Sequence, residues 1–329
     1  MASSPLRTIL VATTLGPESD HVVAAAASLA RSSGARLHIV HAMLLPLEYG
    51  RSAGTTGLTT TPGAMPSPDL YAAFETTLRA RLDDQVTRLA IPPTTLAAAQ
   101  IIDGTPWRVV RAHAAAIDAD LIVVGATDKP DLADRLLGST STHVVAGADR
   151  PVLVLRGHPA MPPKRVLAPV DLSPLSSSAF GTIRALVAAA SGGATGGATN
   201  TPSDTPPPTS PAATIRALFV LLPLERTASI QFSPEQIDRF AADELDRLVA
   251  ATGSRAEATS VEAVVRIGQP RDAIEAEAAA WPADLVAIGS HGYSGWDRRL
   301  FGSVAGDVVH RGPCSVLVVP ATERGVRAG

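Results

Sequence analysis

Aromatic side chains are scarce in this 329-residue chain, which contains 6 Phe, 3 Tyr and 3 Trp. A core with so few large rings has to be built from Ala, Val, Leu and Ile, which supply most of the 46% hydrophobic content. Such a core favours helices packed against strands rich in β-branched residues. The length exceeds that of one ordinary domain and predicts two.

Cysteine is nearly absent, since Cys314 is the single one, and this excludes an internal disulfide. It follows Pro313 in an apolar stretch, so we expect a buried structural thiol. The eight histidines are scattered and form no His-Glu-x-x-His motif. A Gly-x4-Gly-Lys-Ser/Thr loop is also missing. The sequence therefore predicts no metal site formed by protein side chains and no catalytic residue.

Positive charge and long apolar runs are lacking as well. The net charge of −3 offers no basic face for a polyanion, so we expect no nucleic-acid partner. No apolar run approaches the roughly 18 residues that span a bilayer, and residues 1–7 carry no signal-peptide core. These absences predict a cytoplasmic protein without a membrane segment.

An internal repeat is present, at a constant offset of 164 residues. Three landmarks hold this offset: Gly104-Thr-Pro and Gly268-Gln-Pro, Asp120-Leu-Ile-Val-Val-Gly and Asp284-Leu-Val-Ala-Ile-Gly, Leu137-Gly-Ser and Phe301-Gly-Ser. Outside this block the offset drifts, as loop insertions would cause. The sequence predicts two copies of one fold.

Each copy alternates short apolar strands with longer helical patterns, which is typical of βαβ units around a parallel sheet. In the second copy the predicted strands are 165–171, 214–222, 259–267, 284–289 and 315–319, all expected to be buried on both faces. Helices over 175–190 and 237–251 follow N-cap signals at Ser173 and Ser233, and Gln236 completes a capping box.

The predicted fold class is α/β, with two tandem doubly wound five-stranded parallel sheets that carry helices on both faces. The domains are expected at 1–157 and 165–329, joined by a short Pro-rich linker at 158–164. A Gly-, Ser- and Pro-rich segment at 191–213 is predicted to be a flexible insert in the second domain, because no strand precedes its glycines.

The stretch from Gly289 to Ser303 carries the chemistry. It leaves a buried strand, crosses a glycine-rich loop and enters a helix, which is the layout of an anion-binding site. Glycine lets backbone N–H groups approach phosphate oxygens, and a helix N-terminus supplies unpaired donors. Gly302, Ser303 and the following Val304 are therefore predicted to contact phosphate.

The spacing Gly-x2-Gly-x9-Gly-Ser, followed by an amphipathic helix and a Pro-Cys-x-Val-Leu-Val-Val strand, resembles the ATP-binding branch of the universal stress protein family. Both copies match this family over most of their length. The resemblance implies ATP, with Mg²⁺ if the triphosphate is bound. It assigns the nucleoside to Asp171, the adenine to the Leu221 backbone, the ribose and phosphates to Gly289 and Gly292, and the phosphates to Gly302 and Ser303.

The resemblance also implies the strand order 3-2-1-4-5, in which strand four lies beside strand one. Ligands of doubly wound sheets bind outside the carboxyl ends of the strands where the order reverses. Asp171, at the end of the first strand, is therefore expected to face the loop after Gly289; its alternative role is to cap the helix after Ser173. His291 in that loop either contacts ribose or phosphate or is structural.

The first copy departs from the pattern at two positions. Asp128 replaces the second glycine of the loop, and Thr14 stands where the second copy has Asp171, although Gly138 and Ser139 persist. We expect this copy to bind nucleotide poorly or not at all and to serve as a structural partner. The second copy also departs at two positions, because Tyr293 and Ala305 each remove one phosphate contact found in family members.

These features predict an ATP-binding stress-response regulatory module, with nucleotide in the second domain. Two alternatives remain open: an ATP hydrolase or adenylyl-transferring enzyme, and a structural dimerisation protein without ligand. No positioned base or nucleophile is evident for the enzyme, and the residues do not distinguish ATP from ADP or a cyclic nucleotide. Val152–Leu155 and 316–319 are expected to pair the two copies, and a homo-oligomer remains open.

Overall fold

The computed structural model describes residues 6–44, 68–126, 137–191, 212–223, 233–252, 259–290 and 302–320. Most of the predicted insert at 191–213 falls outside these ranges. So does the glycine-rich loop at 291–301, which contains two of the predicted site residues, His291 and Gly292.

The first half alternates strands and helices, with a short 3-10 helix at Pro17–Ser19 before the first α-helix. Its elements are β1 (Thr8–Ala12), α1 (Asp20–Ser33), β2 (Arg36–Met43), α2 (Pro68–Arg88), β3 (Leu96–Asp103), α3 (Pro106–Ala116), β4 (Leu121–Gly125), α4 (Ser139–Gly147) and β5 (Val152–Leu155).

The second half has the same order of elements, as the sequence repeat predicts. They are β6 (Arg165–Val170), α5 (Pro174–Ala190), β7 (Ala213–Leu221), α6 (Pro234–Ala251), β8 (Thr259–Ile267), α7 (Pro270–Ala280), β9 (Leu285–Gly289), α8 (Ser303–Arg311) and β10 (Ser315–Val319). Each α-helix of this half has a counterpart in the first half: α5 corresponds to α1, and α8 corresponds to α4.

Two helices of the second half begin at the predicted caps. The Ser173 side chain accepts a hydrogen bond from the Ser176 N–H, and Pro174 occupies the first position of α5. At α6, Ser233 and Gln236 bond to each other's backbone N–H groups in a reciprocal capping box. Both helix starts are thus fixed by local chemistry that the sequence already displays.

The strands form one ten-stranded sheet in the order β3-β2-β1-β4-β5-β10-β9-β6-β7-β8. Each half has the order 3-2-1-4-5 with parallel neighbours, so the predicted fold class is confirmed. The two predicted sheets are continuous, because β5 and β10 pair antiparallel at the centre. Leu153 lies opposite Leu317, its equivalent under the repeat, so a pseudo-two-fold axis passes between them.

The helices cover the sheet in two layers. Face A carries α1, α2, α5 and α6, whose buried residues form one apolar cluster with half of the strand side chains. Face B carries α3, α4, α7 and α8, which share a second cluster. Alternation along β1 illustrates the division, because Ile9 and Val11 contribute to face A and Leu10 to face B.

Two burial predictions are wrong. Edge strand β8 is only partly buried: four of its nine residues are exposed, among them Ile267 at 48%, because β7 is its one neighbour in the sheet. Cys314 is half-buried rather than enclosed, at the margin of the face B cluster. Across the described ranges, no helix combines the length and apolar character required to cross a bilayer.

Candidate functional site

A cavity of about 250 Å³ opens at the carboxyl ends of β6 and β9, the two strands that lie side by side where the strand order reverses. Three strands and three helices contribute to its wall. They are the end of β6 with the turn after it, the start of α5, the end of β7, the start of α7, the end of β9 and the start of α8. Most of its lining surface is apolar.

Asp171 lies directly after β6, on the rim of this cavity. Its carboxylate oxygen Oδ1 accepts a hydrogen bond from the Ser173 N–H at 3.0 Å, and its own N–H donates to Ser176 Oγ at 3.1 Å. Leu172 between them adopts a left-handed backbone with φ of 61°. This tight turn holds the carboxylate at the crevice and also links it to the start of α5.

Gly289 ends β9 on the opposite side of the cavity. The next residue, Ser290, is buried; its N–H donates to the Val319 carbonyl at 2.8 Å, and its carbonyl accepts from the Gly302 N–H at 3.1 Å. Ser290 and Gly302, the described residues on either side of 291–301, are therefore hydrogen-bonded to each other, and both line the cavity.

Helix α8 points its N-terminus into the cavity. Gly302 is the N-cap residue and provides no side-chain cap, while Ser303, Val304 and Ala305 line the cavity from the first turn. The first N–H groups of a helix have no acceptor within the helix and carry partial positive charge. This end of the cavity is suited to an anion.

Five of the eight predicted site residues line this one cavity: Asp171, Gly289, Gly302, Ser303 and Val304. Leu221 is not among its lining residues; it is buried, and its carbonyl accepts from the Gly268 N–H at 3.0 Å. Its neighbour Val220 lines the cavity instead. His291 and Gly292 lie outside the described residues.

A family model for the universal stress protein family matches residues 5–156 and 208–320, which together are most of the chain. The chain belongs to the universal stress protein family. The first matched region contains β1 to β5, and the second contains β7 to β10 and begins after β6 and α5.

Among curated relatives, a universal stress protein of Synechocystis is 42% identical over 55 residues. That segment spans 36% of the Synechocystis protein and 17% of this chain. Solved structures match nearly the whole chain, among them the following two. A universal stress protein from Archaeoglobus fulgidus is 17% identical, with a TM-score of 0.63. The match covers 97% of this chain and 100% of the Archaeoglobus chain.

The second is a putative universal stress protein from Pseudomonas aeruginosa, also 17% identical, with a TM-score of 0.62 and coverage of 98% and 96% of the two chains. At these identities the structural likeness establishes the fold of this universal stress protein. A ligand has to be inferred from the geometry of the site.

In the first half of this universal stress protein, several side chains contact the ends of the corresponding strands or the turn after them. The Ser141 hydroxyl donates to the Gly125 carbonyl at 2.7 Å, whereas the equivalent Ala305 has no hydroxyl. Val22 approaches Gly125 so closely that an added Cβ would lie 2.9 Å from its Cγ2. Thr14 donates its hydroxyl to Glu18 at 2.8 Å.

Beside this crevice, His41 of β2 is half-buried, and its Nδ1 lies 2.9 Å from the Thr13 carbonyl oxygen. Burial lowers the pKa of His41, and the hydrogen bond to Thr13 opposes that shift in part. The imidazole therefore favours its neutral form at the end of β1.

Sequence reasoning missed several lining residues of the second-half cavity, namely Ser176, Leu218, Val220, Pro270, Ile274 and Ser290. The position of Ser290 directly after the predicted site residue Gly289 is a sequence feature that indicates its place at the site. Ile274 belongs to a helix whose apolar face had not been assigned to a site. Within the described ranges, no group of three or more His, Cys, Asp or Glu side chains is arranged to hold a metal ion.

Proposed function

We propose that the second half of this universal stress protein binds ATP or a closely related nucleotide in the cavity beside Asp171. One observation carries the proposal: a carboxylate, a strand-end glycine and an uncapped helix N-terminus line a single crevice at the switch point of the sheet. In this arrangement the N–H groups at Ser303 and Val304 receive phosphate, and Asp171 receives a ribose hydroxyl or base N–H.

The remaining residues are assigned to the nucleoside or to the phosphates in the same way. Gly289 and the loop residues His291 and Gly292 border the ribose and phosphates, and the adenine lies against the end of β7, at Val220 and the Leu221 backbone. Mg²⁺ would accompany the triphosphate, since no protein metal ligands are proposed. The first domain, 1–157, is structural and is joined through 158–164 to a nucleotide-binding domain at 165–329.

In this proposal the protein is a cytoplasmic regulatory module of the stress response. Nucleotide occupancy of the second domain alters the surface near the loop at 291–301, and a partner reads that surface. Asp171 is the one ionisable side chain among the described lining residues, and it already accepts the Ser173 N–H. A regulatory role is favoured over hydrolysis because a second group to activate water is not found among those residues.

The experiment is a calorimetric titration of MgATP, ADP and cAMP into nucleotide-free protein. We expect one site per chain. Two sites would contradict the structural role of the first half, and no binding of any of the three would contradict the proposal as a whole.

A matched pair of variants locates the site. Gly302→Asp places a carboxylate at the helix N-cap, where Asp is well tolerated by the fold but repels phosphate. We expect affinity to fall at least about tenfold. Gly138→Asp makes the same change at the N-cap of α4 in the first half and should leave affinity unchanged. Equal loss in both variants, or in neither, would argue against the assigned cavity.

Hydrolysis is tested by following ADP release from MgATP. The regulatory proposal predicts release at the background rate. Turnover above background that disappears in Asp171→Asn would establish the enzyme alternative instead.

A further inference from the structure

Charge is inverted between equivalent surface positions of the two halves. Three basic residues on α3 and α4 form what we call the basic cluster: Arg108, Arg111 and His143. The repeat offset of 164 residues turns each into an acid on α7 and α8, and these form the acidic cluster: Asp272, Glu275 and Asp307. Both clusters therefore occupy face B, one on each half.

Trp107 organises the basic cluster. The Cζ atoms of Arg108 and Arg111 lie 5.1 and 5.9 Å from the centre of its indole ring. The His143 ring stacks on it with centroids 5.5 Å apart and an angle of 19° between planes. The three basic side chains are exposed, so the indole gathers their charge at one place on the surface.

The acidic cluster borders a shallow groove between α7 and α8. Glu275 and Asp307 line it together with Arg271, and its remaining lining residues are Ile274, Val308, Gly312 and Pro313. Asp272 and Glu275 are exposed and Asp307 is half-buried. Carboxylates over an apolar floor suit a partner that combines cations with an aromatic ring.

Neither cluster is neutralised within the described part of the chain. Arg108 and Arg111 make no ion pair there, and neither do Asp272, Glu275 and Asp307, whereas Arg88 and Arg150 each pair with nearby aspartates. Arg271 lines the acidic groove as well, so the excess there is of two negative charges over the three carboxylates and one guanidinium. Surface charges that are mainly of one sign and make no ion pair favour association with a surface of opposite sign.

The two clusters lie on the same face of the sheet, one on each side of the pseudo-two-fold axis at Leu153 and Leu317, and they form no ion pair with each other within the described ranges. A second molecule can satisfy both at once. If face B of one chain stacks on face B of another around a two-fold axis lying between them, the first half of each chain lies over the second half of the other.

We propose that two copies of this chain associate through face B, with the basic cluster of each chain against the acidic cluster of its partner. The contact occurs twice around the axis, so the assembly closes as a dimer. This interaction is separate from the proposed nucleotide binding and is tested on nucleotide-free protein.

The first measurement is the dimer dissociation constant by analytical ultracentrifugation at rising salt. We expect a dimer at low ionic strength that weakens as salt increases, because the contacts lie at the surface. A chain that stays monomeric at low salt and high concentration would overturn the proposal, and so would a dimer whose affinity is insensitive to salt.

Charge reversal tests the surface itself. In R108E/R111E both clusters are acidic, and in D272R/E275R both are basic, so each variant alone repels its own copies. We expect the dissociation constant of each to rise on the order of a hundredfold. The control R31E/R81E reverses two exposed arginines on face A helices and should leave the dimer intact.

Mixing the two face B variants is the decisive step. An acidic-acidic chain and a basic-basic chain are complementary at both contacts, so the equimolar mixture should recover a heterodimer that neither variant forms with itself. Failure of the mixture to associate, with both variants folded by circular dichroism, would refute the pairing of these clusters. Retention of the homodimer by either variant would do the same.

Discussion

The imidazole rings of His38 and His113 lie 6.2 Å apart, at 64° to each other, between β2 and α3. The second half has an ion pair at the equivalent place, where Arg216 of β7 meets Glu277 of α7 at 2.7 Å. Sheet register establishes the equivalence, because His38 pairs with a β1 residue as Arg216 pairs with a β6 residue. One contact between strand and helix is thus built with opposite charges in one half and with titratable rings in the other.

Acidification should therefore weaken the first half. Burial lowers the pKa of His38 and of His113, and for His38 the neighbouring His113 and Arg36 lower it further. His38 Nδ1 and His113 Nε2 find no hydrogen-bond partner among the described residues. The unfolded chain takes up protons near pH 6.5 and the folded chain only below it. The contribution of the neutral histidines to the free energy of unfolding is complete above that pH. It decreases as the pH drops toward the pKa values of the folded chain.

The measurement is urea unfolding between pH 7.5 and 5, compared with the variant H38R/H113E, which installs the pair of the second half. We expect a smaller loss of unfolding free energy in the variant, with the remaining loss due in part to His41, whose pKa is also lowered. His143→Gln, at an exposed ring, is the control. Equal slopes in the wild type and in H38R/H113E would contradict the assignment.

A second prediction concerns the buried amide of Gln85 on α2. Its Oε1 accepts from the Thr13 hydroxyl at 2.8 Å, and its Nε2 donates to Asp20 Oδ1 at 2.7 Å. Gln85→Leu leaves these groups unpaired and should lower the unfolding free energy by about 1–3 kcal/mol. Thr87→Ala, exposed on the same helix, should change it by less than about 0.5 kcal/mol.

A double-mutant cycle with Thr13→Val measures the link directly. Contacting residues in one network usually couple by about 0.5–3 kcal/mol, and we expect a value in that range from chemical denaturation. Strict additivity of the two substitutions would show that the hydroxyl and the amide act independently.

A third prediction concerns Glu277, which is 5% exposed. Its two carboxylate oxygens accept from Arg216 at 2.7 Å and from Arg266 at 2.8 Å. Glu277→Gln removes the charge that both guanidinium groups share and should lower the unfolding free energy by about 1.5–3 kcal/mol. The matched change Glu262→Gln affects a carboxylate that is 48% exposed and also bonds Arg216; it should cost under about 1 kcal/mol. The reverse ranking in thermal denaturation would contradict this account.

Much of the fold follows from the sequence. The predicted strand at 259–267 coincides with β8, and the helix starts at Ser173 and Ser233 are correct because their capping chemistry is local. The repeat predicts the order of elements, and the apolar fifth strands predict where the halves join. The exposure of β8 was missed, because an apolar strand at the edge of a sheet has the same local pattern as a central one.

The candidate site was predicted less completely, for physical reasons. Gly302 and Asp171 stand at element ends, where sequence position determines spatial position, and both line the cavity. On β7 the side chain that lines the cavity is Val220, because successive strand side chains point to opposite faces. Leu221 is the last residue of β7, and the prediction for it concerns its backbone. Ile274 belongs to a different βαβ unit, and its approach to the crevice depends on how α7 packs.

The last prediction tests the centre of the molecule. Leu153 and Leu317 are each 4% exposed and both line a small apolar cavity of about 30 Å³ on the pseudo-two-fold axis. Because the two sites are equivalent, Leu153→Ala and Leu317→Ala should cost similar amounts, about 2–5 kcal/mol each. Differential scanning calorimetry provides the comparison. A large cost for one and a negligible cost for the other would mean that the axis does not relate their surroundings.

The antiparallel join between β5 and β10 turns the two halves in opposite directions. The carboxyl ends of β1 and β4 lie at one end of the sheet, and those of β6 and β9 lie at the other. A molecule held at Asp171 is therefore remote from the crevice of the first half, with the breadth of the sheet between them. Coupling between the two crevices would have to pass through the strands of the continuous sheet, across the β5–β10 pair. A partner protein that contacts a ligand at Asp171 directly has to approach from the end of the sheet where β6 and β9 finish.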